Sequence, residues 1–260
     1  MISFFNKVIH RIIRDIHFWT PHTVECRDIK FKMSFIELGS TLDKSLHRYG
    51  NYEPWLSSTL MEELNQDDIV CDIGAYRGYY SLLLHQIVFS PKNIYTFEPD
   101  PTNSRYLTKN ISKTTLIKKL VSDKDDNENI SLNNLFIDNL ELAPPTALKI
   151  DVDGGEIKLI KGSVKFIENH HPKIFMEVHP IQIQQFEANG IETMFDILFA
   201  NNTVAIIFSG KIAKEIADEY NIPAHYSAAW LDIFSCVFKG IMPYGSQILL
   251  ASAISGVCPL

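Results

Sequence analysis

Ile69-Val70-Cys71-Asp72-Ile73-Gly74-Ala75-Tyr76-Arg77-Gly78-Tyr79-Tyr80 starts as a short apolar run, reaches a carboxylate and breaks at a glycine. A second glycine, Gly78, precedes an apolar, helix-compatible run from Tyr79 to Val88. The pattern predicts a buried strand, a tight turn and a helix start. Glycines there let backbone approach a ligand closely, and a helix N-terminus offers unpaired N–H groups. A cofactor site is therefore expected at this turn.

Downstream, short apolar runs alternate with helical stretches. Strands are expected over 94–97, 116–121, 147–150, 173–180, 204–208 and 233–238. Helices are expected over 79–88, from 101 onward, over 156–161, from 180 to about 189, and over 192–200 and 211–220. Gly190 is expected to close one of them as a C-terminal glycine. Such alternation predicts a largely parallel, doubly wound sheet covered by helices on both faces. Upstream, 23–38 alternates loosely and predicts a strand or hairpin, and Pro54 opens a helix to 64. Residues 2–19 predict an amphipathic helix, with Ile2, Phe5, Ile9, Ile12, Ile13 and Ile16 opposite Lys7, Arg11 and Arg14. Its apolar face suits docking on its own domain or on a second copy of the chain, as a homodimer. Peripheral membrane contact is the less favoured alternative.

With 260 residues, 46% hydrophobic, the chain suits one domain with a modest extension. A net charge of -7 with no long basic stretch argues against a nucleic-acid partner. Cys26, Cys71, Cys236 and Cys258 make neither a zinc pattern nor a disulfide framework, which fits a reduced, cytoplasmic setting. No signal peptide or membrane-spanning segment is expected.

In open α/β sheets, ligands bind beyond the carboxyl ends of the strands. The expected strand ends present Asp72 with the glycine turn, then Glu98, then Ser122-Asp123, then Asp151 and Asp153, and finally Glu177 and His179. Glu98 follows Gly78 by twenty residues, an offset at which an acid accepts both ribose hydroxyls. The turn lacks the second glycine of G-x-G-x-x-G and carries an acid before Gly74, which would repel a diphosphate and suits a cationic ligand. S-adenosylmethionine matches these features. Asp72 would face its ammonium or sulfonium end, Glu98 the ribose, and Ser122 and Asp123 the adenine edge, with Gly74, Ala75, Tyr76 and Gly78 shaping the turn.

The wording of the motifs resembles the FkbM family of S-adenosylmethionine-dependent methyltransferases. The matching pieces are Tyr52-Glu53-Pro54-Trp55, Asp72-Ile73-Gly74-Ala75 with Gly78-Tyr79-Tyr80, Phe97-Glu98-Pro99-Asp100-Pro101, Leu148-Lys149-Ile150-Asp151-Val152-Asp153-Gly154 and Glu177-Val178-His179. Tyr76 stands where the family's D-x-G-A-N-x-G has asparagine, and Asp153-Gly154-Gly155 replaces E-G-A. A methyltransferase domain is expected over 65–240, with 1–64 as a cap or interface and 241–260 as a tail packed nearby. The resemblance, carried by pieces within about 49–180, implies a class I methyltransferase (Rossmann-like) fold. It implies O-methylation of a hydroxyl on a sugar, glycan or natural product, and it adds Glu53 to the cofactor-binding set.

The chemistry needs an oxygen held in line with the carbon–sulfur bond and a group to take its proton. His179 is the expected base, Asp151 the competitor, and Glu177 the group that orients the imidazole. Oxygen ligands on Asp151, Asp153 and Glu177 suit magnesium, but three carboxylates at strand ends equally fit cofactor and substrate contacts, so no metal is expected. Two competing readings are an NAD-linked oxidoreductase of similar architecture and a non-catalytic cofactor-binding relative.

Overall fold

A computed structural model of the chain describes residues 2–111, 113–138, 142–201, 205–208 and 248–251. The helix expected over 211–220 and the strand expected over 233–238 lie outside these residues, as do Cys236 and Cys258.

The chain opens with helix α1 (Ile2–Trp19) and a hairpin of β1 (His22–Cys26) and β2 (Ile29–Met33). Helices α2 (Thr41–Tyr49) and α3 (Pro54–Glu63) follow. Then come β3 (Val70–Ile73), α4 (Tyr79–Ile87), β4 (Ile94–Phe97), α5 (Pro101–Asn110), β5 (Thr115–Ile117), β6 (Leu120–Val121) and β7 (Asn129–Ile130). The rest is β8 (Ala147–Ile150), α6 (Glu156–Lys161), α7 (Val164–His170), β9 (Lys173–Glu177), α8 (Pro180–Phe186), α9 (Gly190–Ala200), β10 (Ala205–Phe208) and β11 (Ile248–Ala251).

Seven strands form the main sheet in the order β11-β10-β9-β8-β3-β4-β5, every neighbouring pair parallel. This is the expected Rossmann-like α/β fold. Successive strand residues serve opposite faces. Cys71, Ile73, Leu148 and Ile150 pack into one core with Ile157, Ile160, Phe166 and Ile183 from α6, α7 and α8. Val70, Ala147 and Phe175 pack into the other with Met33, Leu56, Leu83 and Leu84 from the hairpin, α3 and α4. From β3 the chain winds outward through β4 to β5, whereas β8 lies on the other side of β3. The crevice at the carboxyl ends of β3 and β8 is thus the topological switch point, where such sheets bind ligands.

Three local expectations change. The run 116–121 does not continue as one strand: β5 ends at Ile117, and β6 leaves the main sheet to pair with β7. Gly190 does not end α8, which is capped by Glu187, but opens α9. A Cβ at Gly190 would lie 2.8 Å from Ile183 Cγ2, so the glycine serves close approach of the two helices rather than a left-handed turn. Helix α2, absent from the sequence reading, is capped by Ser40, whose Oγ accepts from Asp43 N at 3.1 Å, and is closed by Gly50 at φ 76.

Helix α1 touches the body through its last turn. His17 Nε2 lies 3.0 Å from Asp43 Oδ1, and the Phe18 ring meets Phe35 and Tyr106 edge-on. Its stripe of Ile9, Ile12, Ile13 and Ile16 is exposed, so intramolecular docking is not what occupies that face in this structure. Among the described residues, no helix is long and apolar enough to cross a membrane.

Candidate active site at the β3–β8 switch point

A cavity of about 440 Å³ opens at the carboxyl ends of β3, β4 and β8, within the ~300–1,000 Å³ typical of ligand pockets. Its walls are the turn Ile73–Tyr76, Glu98 and Pro99 after β4, Lys119 to Val121, and Lys149 with Asp151 to Asp153, with Tyr52 and Tyr80 across from them.

The turn is built from backbone. Gly74 N and Ala75 N both donate to Phe97 O, at 3.1 and 3.0 Å, which ties the turn to β4. Gly74 sits at φ 80, and a Cβ on it would lie 1.8 Å from Asp151 O. No other residue fits there, because the β3 and β8 exits touch backbone to backbone. Gly78, at φ 93, starts α4. Glu98 serves this turn as well as the cavity: Oε2 accepts from Tyr76 N at 2.7 Å and Oε1 from Asp100 N at 2.9 Å. Burial raises the Glu98 pKa above its ordinary 4.5, although these N–H groups pull the other way.

Tyr76 adopts φ 52, the left-handed region that asparagine tolerates better than most residues. That explains why the resemblance expects asparagine at this position. Tyr76 is the strained substitute, its ring 5.1 Å from the Arg77 guanidinium. Arg77 also faces Phe18 and Tyr106, each at 5.3 Å, and donates to Phe35 O and Glu37 Oε1. Tyr76→Asn should therefore stabilise the protein by about 0.5 kcal/mol: relief of about 1 kcal/mol at the left-handed position exceeds the loss of one exposed ring from Arg77. A lower midpoint in urea than wild type would overturn this.

Asp72 does not reach the cavity wall. It is fully buried inside β3, where Oδ2 accepts from Ser81 Oγ of α4 at 2.5 Å and Oδ1 faces Lys149 Nζ at 3.4 Å. Lys149 is its parallel register partner on β8, 1% exposed, 3.8 Å from Asp151 Oδ2 and 4.4 Å from the Tyr80 ring. Burial works against the lysine charge, but Asp72, Asp151, Glu53 and Glu177 outweigh it and leave the Lys149 pKa raised. Sequence reasoning missed Lys149. The signal was there, since Lys149 and Asp151 alternate onto one face of a strand.

Glu53 also stands back from the wall, accepting from Tyr80 OH at 2.6 Å. Its pKa is raised, chiefly by burial and then by the Asp151 charge. Ser122 and Asp123 do not line the cavity. The adjacent Lys119 to Val121 do, and Ser122 Oγ instead donates to Asn129 Oδ1 at 3.3 Å.

At the β8 end, Asp151 lines the cavity and His179 lies behind it, 2% exposed. His179 Nε2 is 3.8 Å from Asp151 Oδ1, 3.4 Å from Asp153 Oδ1 and 3.7 Å from Glu177 Oε1. The structure thus gathers the three expected catalytic residues, while the imidazole does not itself line the cavity. The group that orients it is Glu156, missed in the sequence: His179 Nδ1–H and the His179 backbone N–H donate to Glu156 Oε1 at 2.6 and 3.2 Å. Burial disfavours the imidazolium, but Glu156, Glu177 and Asp151 override it and raise the His179 pKa above 6.5. Glu156 opens a helix and reads locally as a surface first-turn acid; only the fold buries it under β9.

Residues 112–203 match the family profile described as the methyltransferase FkbM domain. The matched region supplies Lys149, Asp151, Glu177 and His179; the glycine turn and Glu98 precede it. The chain is 23% identical over 148 residues to the hexuronic acid methyltransferase AglP of Haloferax volcanii, covering 46% of this chain and 59% of that protein. It therefore spans less than two thirds of that relative's length. A crystal structure of a methyltransferase FkbM from Methylobacillus flagellatus superposes on 52% of this chain and 38% of its own, at 17% identity and a TM-score of 0.41. The profile match falls on the β8 and β9 exits that build the cavity, so this part of the chain is similar to the methyltransferase FkbM domain.

Proposed function

We propose that the protein is an S-adenosylmethionine-dependent methyltransferase that methylates a hydroxyl oxygen. The observation that carries this is the charge around the cavity. Asp72, Asp151, Glu53 and Glu177 crowd the exits of β3, β8 and β9 against the one buried ammonium of Lys149. That excess of carboxylates suits a ligand with cationic amino and sulfonium groups. Gly74 holds the β3 and β8 exits backbone to backbone beside the cavity, and Glu98 offers a carboxylate to a ribose on the neighbouring strand. The cofactor, when bound, supplies an electrophilic methyl carbon.

The chain's own residues then hold, orient and deprotonate. The acceptor oxygen lies at the Asp151 end of the cavity in this reading, and its proton passes into the cluster of Asp151, Asp153, Glu177 and His179. Asp151 and Asp153 are the members on the cavity wall, and His179, fixed by Glu156, stands behind them. A sugar or sugar-acid acceptor is supported by the name of the Haloferax volcanii relative. The buried, unpaired thiols of Cys26 and Cys71 fit action in the cytoplasm.

Calorimetry tests the cofactor. S-adenosylhomocysteine should bind and NAD should not; the reverse would overturn the proposal. Glu98→Gln should weaken S-adenosylhomocysteine about 10- to 100-fold, since a charged acceptor is lost and an amide NH₂ is turned toward a backbone N–H. In wild type, affinity should fall from pH 7.5 to pH 5. The sign follows from burial: a raised pKa means Glu98 takes up its proton at a higher pH than an ordinary carboxylate, and the protonated form is the poorer acceptor. The variant should show a flat profile over that range, and an equally steep one would remove Glu98 from the ribose.

A further inference from the structure

We propose that Asp151, Glu177 and His179 form a binding site for a divalent first-row transition cation, at the end of the cavity where the acceptor oxygen lies. The inference rests on the methyltransferase reading for its role, but not for its existence. One oxygen from each carboxylate and one imidazole nitrogen come within 4.8 Å of one another. They arrive from two adjacent strands, Asp151 just after β8 and Glu177 with His179 at the end of β9, so the sheet itself sets their spacing.

His179 Nε2 points to a ligand. The ring is 2% exposed, and Nε2 has no hydrogen-bond partner. Nδ1 lies 2.6 Å from a Glu156 carboxylate oxygen, a pure acceptor when ionised, so Nδ1 carries the proton. In the neutral ring Nε2 then presents a lone pair to three carboxylates, which repel it. Were the ring an imidazolium, Nε2–H would close on one of them at about 2.7–2.9 Å, as charge-assisted bonds do. The observed separations of 3.4, 3.7 and 3.8 Å are too long for that. The separations from the two proposed carboxylate ligands, 3.8 Å to Asp151 and 3.7 Å to Glu177, are a little longer than the spacing of ligands around a small cation with metal–ligand bonds near 2.1 Å, about 3.0 Å for octahedral neighbours and about 3.4 Å for tetrahedral ones, so the side chains would draw in on binding. Glu156 supplies the outer carboxylate that ligating histidines usually have. Mixed imidazole and carboxylate donors favour a first-row transition ion over magnesium.

Such an ion would leave positions open toward the cavity, because Asp151 is on its wall and the Asp153 side chain is 82% exposed. The substrate class is then an acceptor with a second oxygen next to the methylated hydroxyl, both able to reach the ion. The ion would draw electron density from the hydroxyl and release its proton through Asp153 to water. As the O–C bond forms, the C–S bond breaks and its electron pair stays on sulfur, leaving a neutral thioether.

The full chain, stripped with a chelator and dialysed, should be titrated with manganese(II) and read by the loss of the free-ion electron paramagnetic resonance signal. One ion per chain should bind. His179→Gln and Glu177→Gln should each weaken it at least about 10-fold, while the far-ultraviolet circular dichroism spectrum of the same samples stays that of wild type. That second reading checks folding, and Glu177→Gln decides if His179→Gln does not fold. No bound manganese in wild type up to about 1 mM, or unchanged binding in the folded variants, would overturn the site. Manganese binding without cofactor binding would instead sink the methyltransferase reading and leave the metal site standing.

Discussion

Gly74→Ala should abolish cofactor binding and destabilise the fold by at least about 3 kcal/mol, a lowering of the unfolding midpoint by roughly 6–12 °C for a domain of this size. Two effects add. The added methyl group would sit 1.8 Å from Asp151 O and 2.8 Å from its carbonyl carbon, so the β3 and β8 exits would have to separate. Backbone at φ 80 costs an alanine a further ~1–2 kcal/mol. The separation would also break the bond from Asp151 N to Ile73 O and shift Asp151 on the cavity wall. Gly39 serves as the control, since it also has φ 80 but nothing within 4 Å of an added Cβ. Gly39→Ala should show the conformational cost alone. If the two variants unfold together, the contact with Asp151 is not what requires glycine at 74.

Lys149→Met should cost about 3–5 kcal/mol at pH 7, the range seen when one partner of a buried ion pair is removed. The methionine keeps the apolar stem against Tyr80 but leaves Asp72, fully buried, with only the Ser81 hydroxyl. Adding Asp72→Asn should recover part of the loss and give a coupling energy of about 0.5–3 kcal/mol. A loss below about 1 kcal/mol would mean that Lys149 is not the counter-ion of Asp72.

Much of the architecture was legible without coordinates, because it depends on local periodicity. The four-residue apolar runs became β3, β4 and β8, Pro101 followed an Asp100 cap, and the acids that end the strands converged on one edge. Where two short strands competed within 116–121, periodicity could not tell that β6 would leave the sheet for β7, since both pairings satisfy the same apolar pattern. The resemblance added the family and the order of motifs. It left open why asparagine is expected where Tyr76 stands, and the left-handed backbone at that position supplies the reason.

By itself, the sequence determined that a glycine turn, a ribose-spaced acid and a set of carboxylates would meet at the carboxyl edge of a parallel sheet. Only the tertiary structure decided which of them face the cavity. Asp72 turns toward α4 and Lys149 because parallel register pairs it with Lys149 and the helix brings Ser81 over it. His179 is withdrawn behind Asp151 because Glu156, 23 positions earlier, is buried within reach of its ring. A strand's alternation fixes that two side chains share a face, but only the elements packed against that face determine what they meet.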